Sequence, residues 1–274
     1  MAVKIVTDSS CDLPPEVAAE LGLTIVPIRV NLGRNSFRDG IDLGPGEAAQ
    51  KIIAAGELPT TSQPPPYEFE KVFASLLEQG HEVLCLTLSS ALSGTYHSAL
   101  IAAGTFPDRL RVLDSQLVSA GLGLLAMGAA KFAAQGHSLA QVADHARERI
   151  GRTRMFATLD SIEPIVRGGR LNLFARHAAG REGIKLIFSL NGQGGVQIHE
   201  RVRGRRRSLD RLVELMAAQP PQEAAVVHVE CPGEARQVAE QIAGARGGDV
   251  LNVWAAGGTV STYAGRGAII VAGQ

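Results

Sequence analysis

The sequence predicts an α/β protein of two domains, in which a parallel-sheet domain over residues 1–153 packs on an α+β domain over residues 154–274. Three observations lead to this prediction. A chain of 274 residues exceeds the usual size of one compact core. Up to Thr153, apolar runs of strand length alternate with helical periodicity, which is typical of a parallel sheet covered by helices. Beyond it, the pattern Asn191-Gly-Gln-Gly-Gly195 between two strand-like runs indicates a hairpin, so a largely antiparallel sheet is expected there.

The first domain opens with a strand and then a helix whose boundaries are well marked. Asp12 can cap this helix, Pro14 and Pro15 suit its first turn, and Gly22 suits its end. The predicted strands are Val3–Asp8, Thr24–Leu32, Glu82–Ser89 and Leu110–Asp114. The further helices are predicted at Glu47–Ala55, Tyr67–Gln79, Leu92–Gly104, Leu117–Ala134 and Leu139–Arg152.

The second domain continues from the hairpin with alternating helices and strands. The hairpin strands are predicted at Ile184–Leu190 and Val196–Arg203. Helices are predicted at Leu209–Ala218 and Glu234–Ala245, and strands at Ala224–Glu230, Val250–Ala255 and Ala268–Ala272. No internal repeat or low-complexity segment interrupts this pattern.

The composition narrows the classes of partner. Basic and acidic residues balance at 27 each, so the net charge gives no reason to expect nucleic acid or a membrane surface. The hydrophobic fraction is 45% with only 4% aromatic residues, which suits helices packed on a sheet and also an aliphatic cavity.

The amino terminus does not resemble a signal peptide, and no apolar stretch could span a bilayer, so a cytoplasmic location without stable membrane insertion is expected. Cys11, Cys85 and Cys231 are widely separated and lack metal-ligand spacing, so free thiols are expected and no metal site.

Polar turns follow three strands of the predicted parallel sheet. They are Thr7-Asp8-Ser9-Ser10, Ser89-Ser90-Ala91-Leu92-Ser93-Gly94 and Asp114-Ser115. Because the carboxyl ends of parallel strands share one crevice, these turns are expected to meet where ligands bind. Ser93 precedes a helix whose first turn offers backbone N–H groups and a positive dipole end to an anion. It could equally be a plain helix cap, and one hydroxyl can serve both roles.

Three other segments allow both a structural and a functional interpretation. The segment 59–66, Pro-Thr-Thr-Ser-Gln-Pro-Pro-Pro, cannot continue a helix, so its hydroxyls lie on an extended path that is either a connector or part of a site. Arg167-Gly168-Gly169-Arg170 indicates a helix end whose arginine is either solvated or screens an anion in a cleft. The basic run over residues 201–207 is a solvated surface, a docking site for an acidic partner or, less favoured because aromatic residues are absent nearby, a nucleic-acid contact.

The sequence lacks several motifs that identify enzymes. It has no phosphate-binding loop of the form G-x-x-x-x-G-K-[ST] and no G-x-S-x-G nucleophile elbow. Ser93, His97 and Asp114 are the right types for a triad, but His97 lies one helical turn beyond Ser93, which disfavours contact between them. The glycine-rich segment Gly121–Gly128 lies in an apolar helical pattern, where small residues favour close packing over nucleotide binding.

Several motifs, taken in order, resemble the DegV family, the fatty-acid-binding subunits of bacterial fatty acid kinase. They are Val6-Thr7-Asp8-Ser9-Ser10 with Asp12-Leu13-Pro14, Asp39-Gly40-Ile41-Asp42, Thr61-Ser62-Gln63-Pro64, Ser89–Tyr96, Asp114-Ser115, Gly168-Gly169-Arg170-Leu171, Ile184-Lys185 and the basic region at Arg203. Singly these motifs are weak, and in this order they are highly specific.

The resemblance implies a fatty acid buried between the layers of the protein, with its carboxylate presented to a separate kinase that forms an acyl phosphate. It implies that Thr61, Ser93, Gly94 and Tyr263 bind the carboxylate. Near the pocket entrance or the kinase-docking surface it places Ser62, Arg170, Arg203, Arg206 and Arg266. The resemblance further implies a non-catalytic chain whose ligand is a long-chain fatty acid and which holds no cofactor, because ATP and magnesium belong to the kinase.

One departure from the family pattern concerns the carboxylate site. Where such proteins usually have a histidine before a Gly-Pro-Gly turn, this chain has Tyr263 and, in place of the proline, Arg266. A tyrosine hydroxyl can donate a hydrogen bond but carries no charge near neutral pH, so Arg266 is a candidate for the missing positive charge. A serine-dependent acyl hydrolase or transferase using Ser93 and a lipid-sensing regulatory module using the basic run remain the alternative functions.

Overall fold

The computed structural model describes residues 2–56, 58–104, 106, 108–171, 183–248 and 251–274. In chain order its strands are β1 (Val3–Asp8), β2 (Thr24–Val26), β3 (Arg29–Leu32), β4 (Asn35–Arg38), β5 (Thr60–Ser62), β6 (Glu82–Thr87), β7 (Leu110–Asp114), β8 (Arg154–Thr158), β9 (Ile184–Leu190), β10 (Val196–Arg203), β11 (Ala224–His228), β12 (Asn252–Ala255) and β13 (Ile269–Gly273). Its helices are α1 (Pro15–Glu20), α2 (Glu47–Ala55), α3 (Pro66–Glu78), α4 (Thr95–Ala103), α5 (Ser119–Ala133), α6 (Leu139–Arg152), α7 (Glu163–Arg167), α8 (Arg205–Ala217), α9 (Pro232–Arg246) and α10 (Gly258–Ala264).

The first sheet has four parallel strands in the spatial order β2-β1-β6-β7. Both of its faces are buried, which explains why β6 is an almost continuous apolar run. Successive side chains of β6 point to opposite faces. Leu84 and Leu86 join the largest core beneath α5 and α6, and Val83 and Cys85 join a second core with Phe69 beneath α3 and α4.

The second sheet has six strands in the order β10-β9-β8-β13-β11-β12, and every neighbouring pair is antiparallel apart from β11 and β12. Its inner face, with Phe188 and Ile270, joins the same core as the first sheet. Its outer face, with Ile187 and Val271, packs against α8 and α9. The predicted α/β class with one parallel and one largely antiparallel sheet is therefore confirmed.

Helix α5 lies between the two sheets, in contact with both β1 and β13. Leu122 and Leu125 are fully buried, and three glycines allow neighbours to approach the helix closely. A Cβ on Gly123 would lie 2.7 Å from the Cys11 carbonyl oxygen. The glycines of this segment therefore serve packing. The shared core crosses the predicted boundary between residues 153 and 154, and the division into domains there remains a prediction.

A third sheet of three short antiparallel strands, in the order β4-β3-β5, was not predicted from the sequence. The single predicted strand Thr24–Leu32 is wrong, because Pro27 interrupts it: β2 joins the parallel sheet and β3 joins this small one. Proline has no N–H for a strand ladder, which accounts for the break. The small sheet holds β5 against α10 and so positions Thr61.

Two predictions for helix starts are also wrong. Asp12 does not cap α1, whose N-cap is Pro14; instead its carboxylate accepts the Ser119 hydroxyl at 2.6 Å and the Gly257 N–H at 2.7 Å. Helix α4 begins at Thr95 rather than Leu92, so its N-cap is Gly94. At Asp12 a tertiary contact takes the place of the local cap, whereas at α4 the turn that precedes the helix is longer than predicted.

Most remaining boundaries agree with the sequence predictions to within four residues, and Val250 at the predicted start of β12 lies outside the described residues. The short elements β8, α7 and α10 were missed, although Gly168 was correctly predicted at a helix end. All three cysteines are free thiols. Within the described ranges, no helix combines the length and apolar character needed to cross a membrane.

Candidate functional site

A cavity of about 900 Å³, counting its open mouth, lies between the two sheets. Its walls are mainly aliphatic and come from both halves of the chain. They include Ile28, Leu88, Leu92 and Val118 from the first half, and Met155, Leu159, Ile165, Phe188, Val260 and Ile270 from the second. Such a lining suits an apolar ligand and offers few partners for a polar one.

Six polar side chains line the same cavity, among them Ser189 and Thr259, and the other four come from four separate segments. Thr61 comes from β5, Ser93 from the turn before α4, Arg170 from the turn after α7 and Tyr263 from α10. The Thr61 and Tyr263 hydroxyl oxygens share a hydrogen bond of 2.7 Å. This pair is partly buried and uncharged, so it can donate a hydrogen bond to an anion without carrying charge itself.

The turn before α4 presents the Ser93 hydroxyl. The N–H groups of Leu92 and Ser93 both donate to the Ser89 carbonyl, at 3.0 and 3.2 Å, which closes the turn. The Ser93 hydroxyl accepts the Thr95 N–H at 3.3 Å and shares a 2.9 Å hydrogen bond with the Thr95 hydroxyl. Ser93 thus helps to satisfy the first turn of α4 and also lines the cavity, so both roles considered for it are compatible.

Arg170 lines the cavity and is held by three contacts. Its Nε donates to the Leu92 carbonyl at 3.1 Å and its Nη1 donates to the Gly168 carbonyl at 2.6 Å. Its guanidinium carbon lies 4.5 Å from the centre of the Tyr263 ring, a cation–π contact. A Cβ on Gly168 would overlap this ring, so the glycine admits Tyr263. A permanent positive charge therefore stands beside the hydroxyl pair.

Buried aspartates fix the elements that carry the site. Asp39 accepts hydrogen bonds from the Gly258 and Thr259 N–H groups at the start of α10, at 2.7 and 2.9 Å, and from the hydroxyls of Thr259 and Ser9. Asp12 ties Gly257 to the first turn of α5. Burial raises the pKa of Asp39 and holds the pKa of Asp12 well above its ordinary value. These carboxylates attach the amino-terminal loops to the helix that carries Tyr263.

The remaining predicted site residues lie outside the cavity lining. Ser62 is exposed on β5, and Gly94 is covered by the Gln63 side chain. Arg203 and Arg206 are exposed and have no acidic partner within the described ranges, whereas their neighbours Arg205, Arg207 and Arg211 form ion pairs. Arg266 is exposed as well, so the positive charge beside Tyr263 comes from Arg170.

The three residues of the triad hypothesis are engaged elsewhere. The Asp114 carboxylate accepts the Ser90 and Gln116 N–H groups, at 3.1 and 3.0 Å. His97 is exposed and its ring lies against that of Tyr96. Across the described residues no hydrogen bond joins Ser93, His97 and Asp114. The arrangement does not favour nucleophilic catalysis by Ser93.

Sequence reasoning named Tyr263 but missed the helix α10 that carries it and three further lining residues of that helix, Thr259, Val260 and Ala264. The segment is short and partly buried on every side, so it has no amphipathic pattern. The consecutive glycines Gly257 and Gly258 after a strand were an indication of a close backbone approach. A Cβ on Gly258 would lie 2.9 Å from a Val30 methyl group.

The sequence and the fold were compared with those of known proteins, and both show similarity to one family. The sequence matches the DegV family, described as uncharacterised proteins, over residues 2–272. A DegV domain-containing protein of Caldanaerobacter subterraneus is 34% identical over 215 residues, which cover 78% of this chain and 76% of the relative. A solved structure from Thermus thermophilus, described as showing fatty acid binding of a DegV family protein, has a TM-score of 0.92 at 27% identity, with 100% of both chains covered. DegV of Bacillus subtilis, described as a fatty acid binding protein, has a TM-score of 0.88 at 26% identity, covering 99% of this chain and 98% of that one.

Proposed function

The chain belongs to the DegV family, and we propose that it binds one long-chain fatty acid in the cavity and holds the carboxylate at Thr61 and Ser93. The observation that carries the proposal is an aliphatic cavity that contains two neutral hydroxyl sites and one arginine. The fatty acid binding described for the Thermus and Bacillus proteins supports this class of ligand.

The acyl tail supplies most of the affinity in this proposal. Burying about sixteen carbons is worth on the order of 10 kcal/mol at roughly 0.8 kcal/mol per methylene, before the freedom lost on binding is subtracted. Walls built from Leu88, Val118, Ile165 and Ile270 can provide this burial and place no charged group against the tail. Removal of these methylenes from water therefore drives binding.

The carboxylate end determines how the ligand is oriented. A buried carboxylate without partners costs several kcal/mol, so hydrogen-bond donors must replace its water. The Thr61 and Ser93 hydroxyls supply them, supported by the Tyr263 hydroxyl. Arg170 adds a charge that pH does not remove, because a guanidinium stays protonated. Affinity thus comes from the tail, and orientation comes from these polar groups.

We further propose that a separate kinase phosphorylates the bound carboxylate to an acyl phosphate, which feeds lipid synthesis. In-line transfer needs access to a carboxylate oxygen, and the partial exposure of Thr61 and Ser93, which both line the cavity, is compatible with such access. This chain is then a non-catalytic subunit without a cofactor of its own, and ATP and magnesium are held by the kinase. The family resemblance of the motifs supports the partnership.

The exposed arginines are the proposed docking surface for the kinase. Arg203 ends β10, Arg206 lies in the first turn of α8, and neither is neutralised by an acidic neighbour within the described residues. Ser62 and Arg266 are exposed as well, and we propose that they contribute further contacts to the kinase. Unpaired guanidinium groups suit acidic side chains of a partner, because the planar fork binds a carboxylate with two hydrogen bonds.

Denaturing extraction of the purified protein, followed by mass spectrometry, tests the ligand assignment. We expect one long-chain fatty acid per chain, or saturable binding of palmitate after the lipid has been stripped. A protein that neither carries nor takes up a fatty acid would contradict the proposal. Turnover of an activated ester that disappears with Ser93→Ala would instead favour a hydrolase.

A further inference from the structure

Thr61 and Ser93 come from different parts of the fold, so something must fix the distance between them. Thr61 lies on β5 of the small sheet, and Ser93 lies in the turn that links β6 of the parallel sheet to α4. β5 itself is only three residues long, and its ladder partner is β3. A carboxylate that must bond both hydroxyls at once needs these two segments held at a fixed separation.

The Gln63 side chain bridges the two segments. Gln63 follows Thr61 by two residues, and its Nε2 donates to the Ser98 hydroxyl of α4 at 3.0 Å. Its carboxamide also lies directly on Gly94, where a Cβ would overlap it. Ser98 is buried, and its N–H donates to the Gly94 carbonyl at 3.0 Å, so both contacts fall on the first turn of α4 beside Ser93.

We propose that Gln63 is a positioning residue that sets the separation of the Thr61 and Ser93 hydroxyls and thereby determines recognition of the carboxylate. This inference rests on the proposed fatty acid site. Gln63 is exposed and does not line the cavity, so it acts through the two hydroxyls and has no contact with the tail. The Tyr263 hydroxyl holds Thr61 from the α10 side, so β5 is fixed from two directions.

Gly94 acquires a specific role in this arrangement. Its φ is −76°, which any residue can adopt, so the backbone does not require glycine there. The three atoms nearest to the position of a Cβ all belong to the Gln63 carboxamide, the flexible end of a side chain. A methyl group at this position displaces Gln63 and leaves the helix intact. Gly94 therefore acts by leaving room for the Gln63 side chain. It has no side chain of its own to contact the carboxylate.

The chain between Thr61 and α3 is suited to this role. Pro64, Pro65 and Pro66 follow Gln63 directly and restrict the backbone to extended conformations up to the first turn of α3. Because this segment is stiff, a change in the position of one of its side chains also moves the neighbouring residues. Displacing Gln63 is thus expected to shift or loosen Thr61.

The test compares binding of palmitic acid with binding of hexadecanol, which has the same tail but no carboxylate. We expect Gln63→Ala, Ser98→Ala and Gly94→Ala each to lower the preference for the acid by about tenfold, the size expected from a misplaced hydrogen bond to a charge. Affinity for the alcohol should stay within about twofold by the same reasoning. The double variant Gln63→Ala/Gly94→Ala should be no worse than either single variant, because both changes break one contact.

Gln79→Ala is the matched control, since Gln79 also bonds a serine hydroxyl, that of Ser75, but at the far end of α3. It should keep the full preference for the acid. A Gln63→Ala protein that keeps it too, or multiplicative losses in the double variant, would overturn the positioning role while leaving the proposed function intact. A native protein without any preference for acid over alcohol would instead overturn the proposed function, and this inference with it.

Discussion

At two helix N-termini of this protein, the free backbone N–H groups donate to different kinds of acceptor. At the start of α10, the N–H groups of Gly258 and Thr259 donate to the carboxylate of Asp39, which is part of the chain. At the start of α4, the Thr95 N–H meets the Ser93 hydroxyl, and within the described residues no acidic side chain bonds the N–H groups of residues 95–97. The Asp114 carboxylate bonds Ser90, earlier in the loop that leads to this helix. Asp39 is buried and is not itself a lining residue, although its partner Thr259 is, whereas Ser93 lines the cavity directly. The protein therefore fixes one helix with its own carboxylate, and under the proposed function the start of the other helix receives the carboxylate of the ligand.

The surroundings of Asp39 also show how this fold accommodates a carboxylate. Two backbone N–H groups and two hydroxyls, those of Ser9 and Thr259, surround it. Thr61, Ser93 and Tyr263 offer the same kind of neutral donor at the cavity. The difference is Arg170, which adds a permanent charge only at the cavity. A ligand carboxylate there is expected to stay ionised.

Removal of the internal carboxylate is expected to have the largest effect. Asp39→Ala leaves two N–H groups and two hydroxyls buried without their acceptor, so the free energy of unfolding should fall by roughly 3 kcal/mol or more. Urea denaturation measures this change. Asp42→Ala is the control, because Asp42 is an exposed carboxylate in the same loop that pairs with Arg38. Equal losses in both variants would contradict a special role for Asp39.

Removal of the donors offered to the ligand should lower stability less than Asp39→Ala does and should mainly impair function. The Thr61→Ala/Ser93→Ala variant should lower affinity for palmitate by about a hundredfold, on the basis of roughly 1.5 kcal/mol for each hydrogen bond to a charged group. Phosphoryl transfer by the partner kinase should fall further, because the carboxylate is no longer oriented. Equal transfer by this variant and the native protein at saturating kinase would count against the assignment.

The pKa of a third internal carboxylate, Asp8, indicates how the stability of the protein depends on pH. Burial raises its pKa from 3.8 to about 6, although its carboxylate accepts the Leu88 N–H at 2.7 Å and the Ser10 hydroxyl at 2.6 Å. The folded state therefore holds this proton more tightly than the unfolded chain does, and the free energy of unfolding should fall as pH rises from about 4 to about 6. Urea titrations of Asp8→Asn should show a smaller fall than the native protein. An identical pH dependence would show that other groups cause it.

The smallest of these effects concerns the surface. Reversing Arg203 and Arg206 to Glu should weaken association with the kinase by about tenfold and leave the bound lipid unchanged, because charge pairs at an exposed rim contribute modestly. Surface plasmon resonance and lipid extraction report the two quantities separately. The control is Arg152→Glu, which alters an exposed helix end at α6. Loss of lipid in the double variant would place these arginines in the pocket or in folding rather than in docking.

The sequence predicted the long elements well because their periodicity is strong. The bounds of β1, β7, α2 and α6 match the structure, and Ser138 and Gln141 form the capping box that begins α6. The small sheet was missed because strands of three or four residues have no measurable period. Thr24–Leu32 was misassigned because its apolar pattern continues through Pro27 while the backbone does not.

The site was predictable only in part, because the residues that hold it together are far apart along the chain. Resemblance of motifs pointed to Thr61, Ser93 and Tyr263, which the structure brings into one cavity. It did not reveal the contacts that hold them, since Asp12 meets Gly257 and Asp39 meets Thr259 across more than two hundred residues. Arg266 was the candidate for the missing charge, but local sequence could not show that Arg170 already lies over the Tyr263 ring.

The most direct test of the central claim is a carbon-13 NMR titration of the bound fatty acid, labelled at its carboxyl carbon. Hydroxyl donors and a nearby guanidinium favour the ionised form, so the resonance should stay that of a carboxylate well below the pH at which a free fatty acid is protonated. It should shift in Thr61→Ala and in Ser93→Ala. A carboxyl resonance that titrates like the free acid, and that neither substitution moves, would contradict the claim that this end of the cavity receives the ligand's carboxylate.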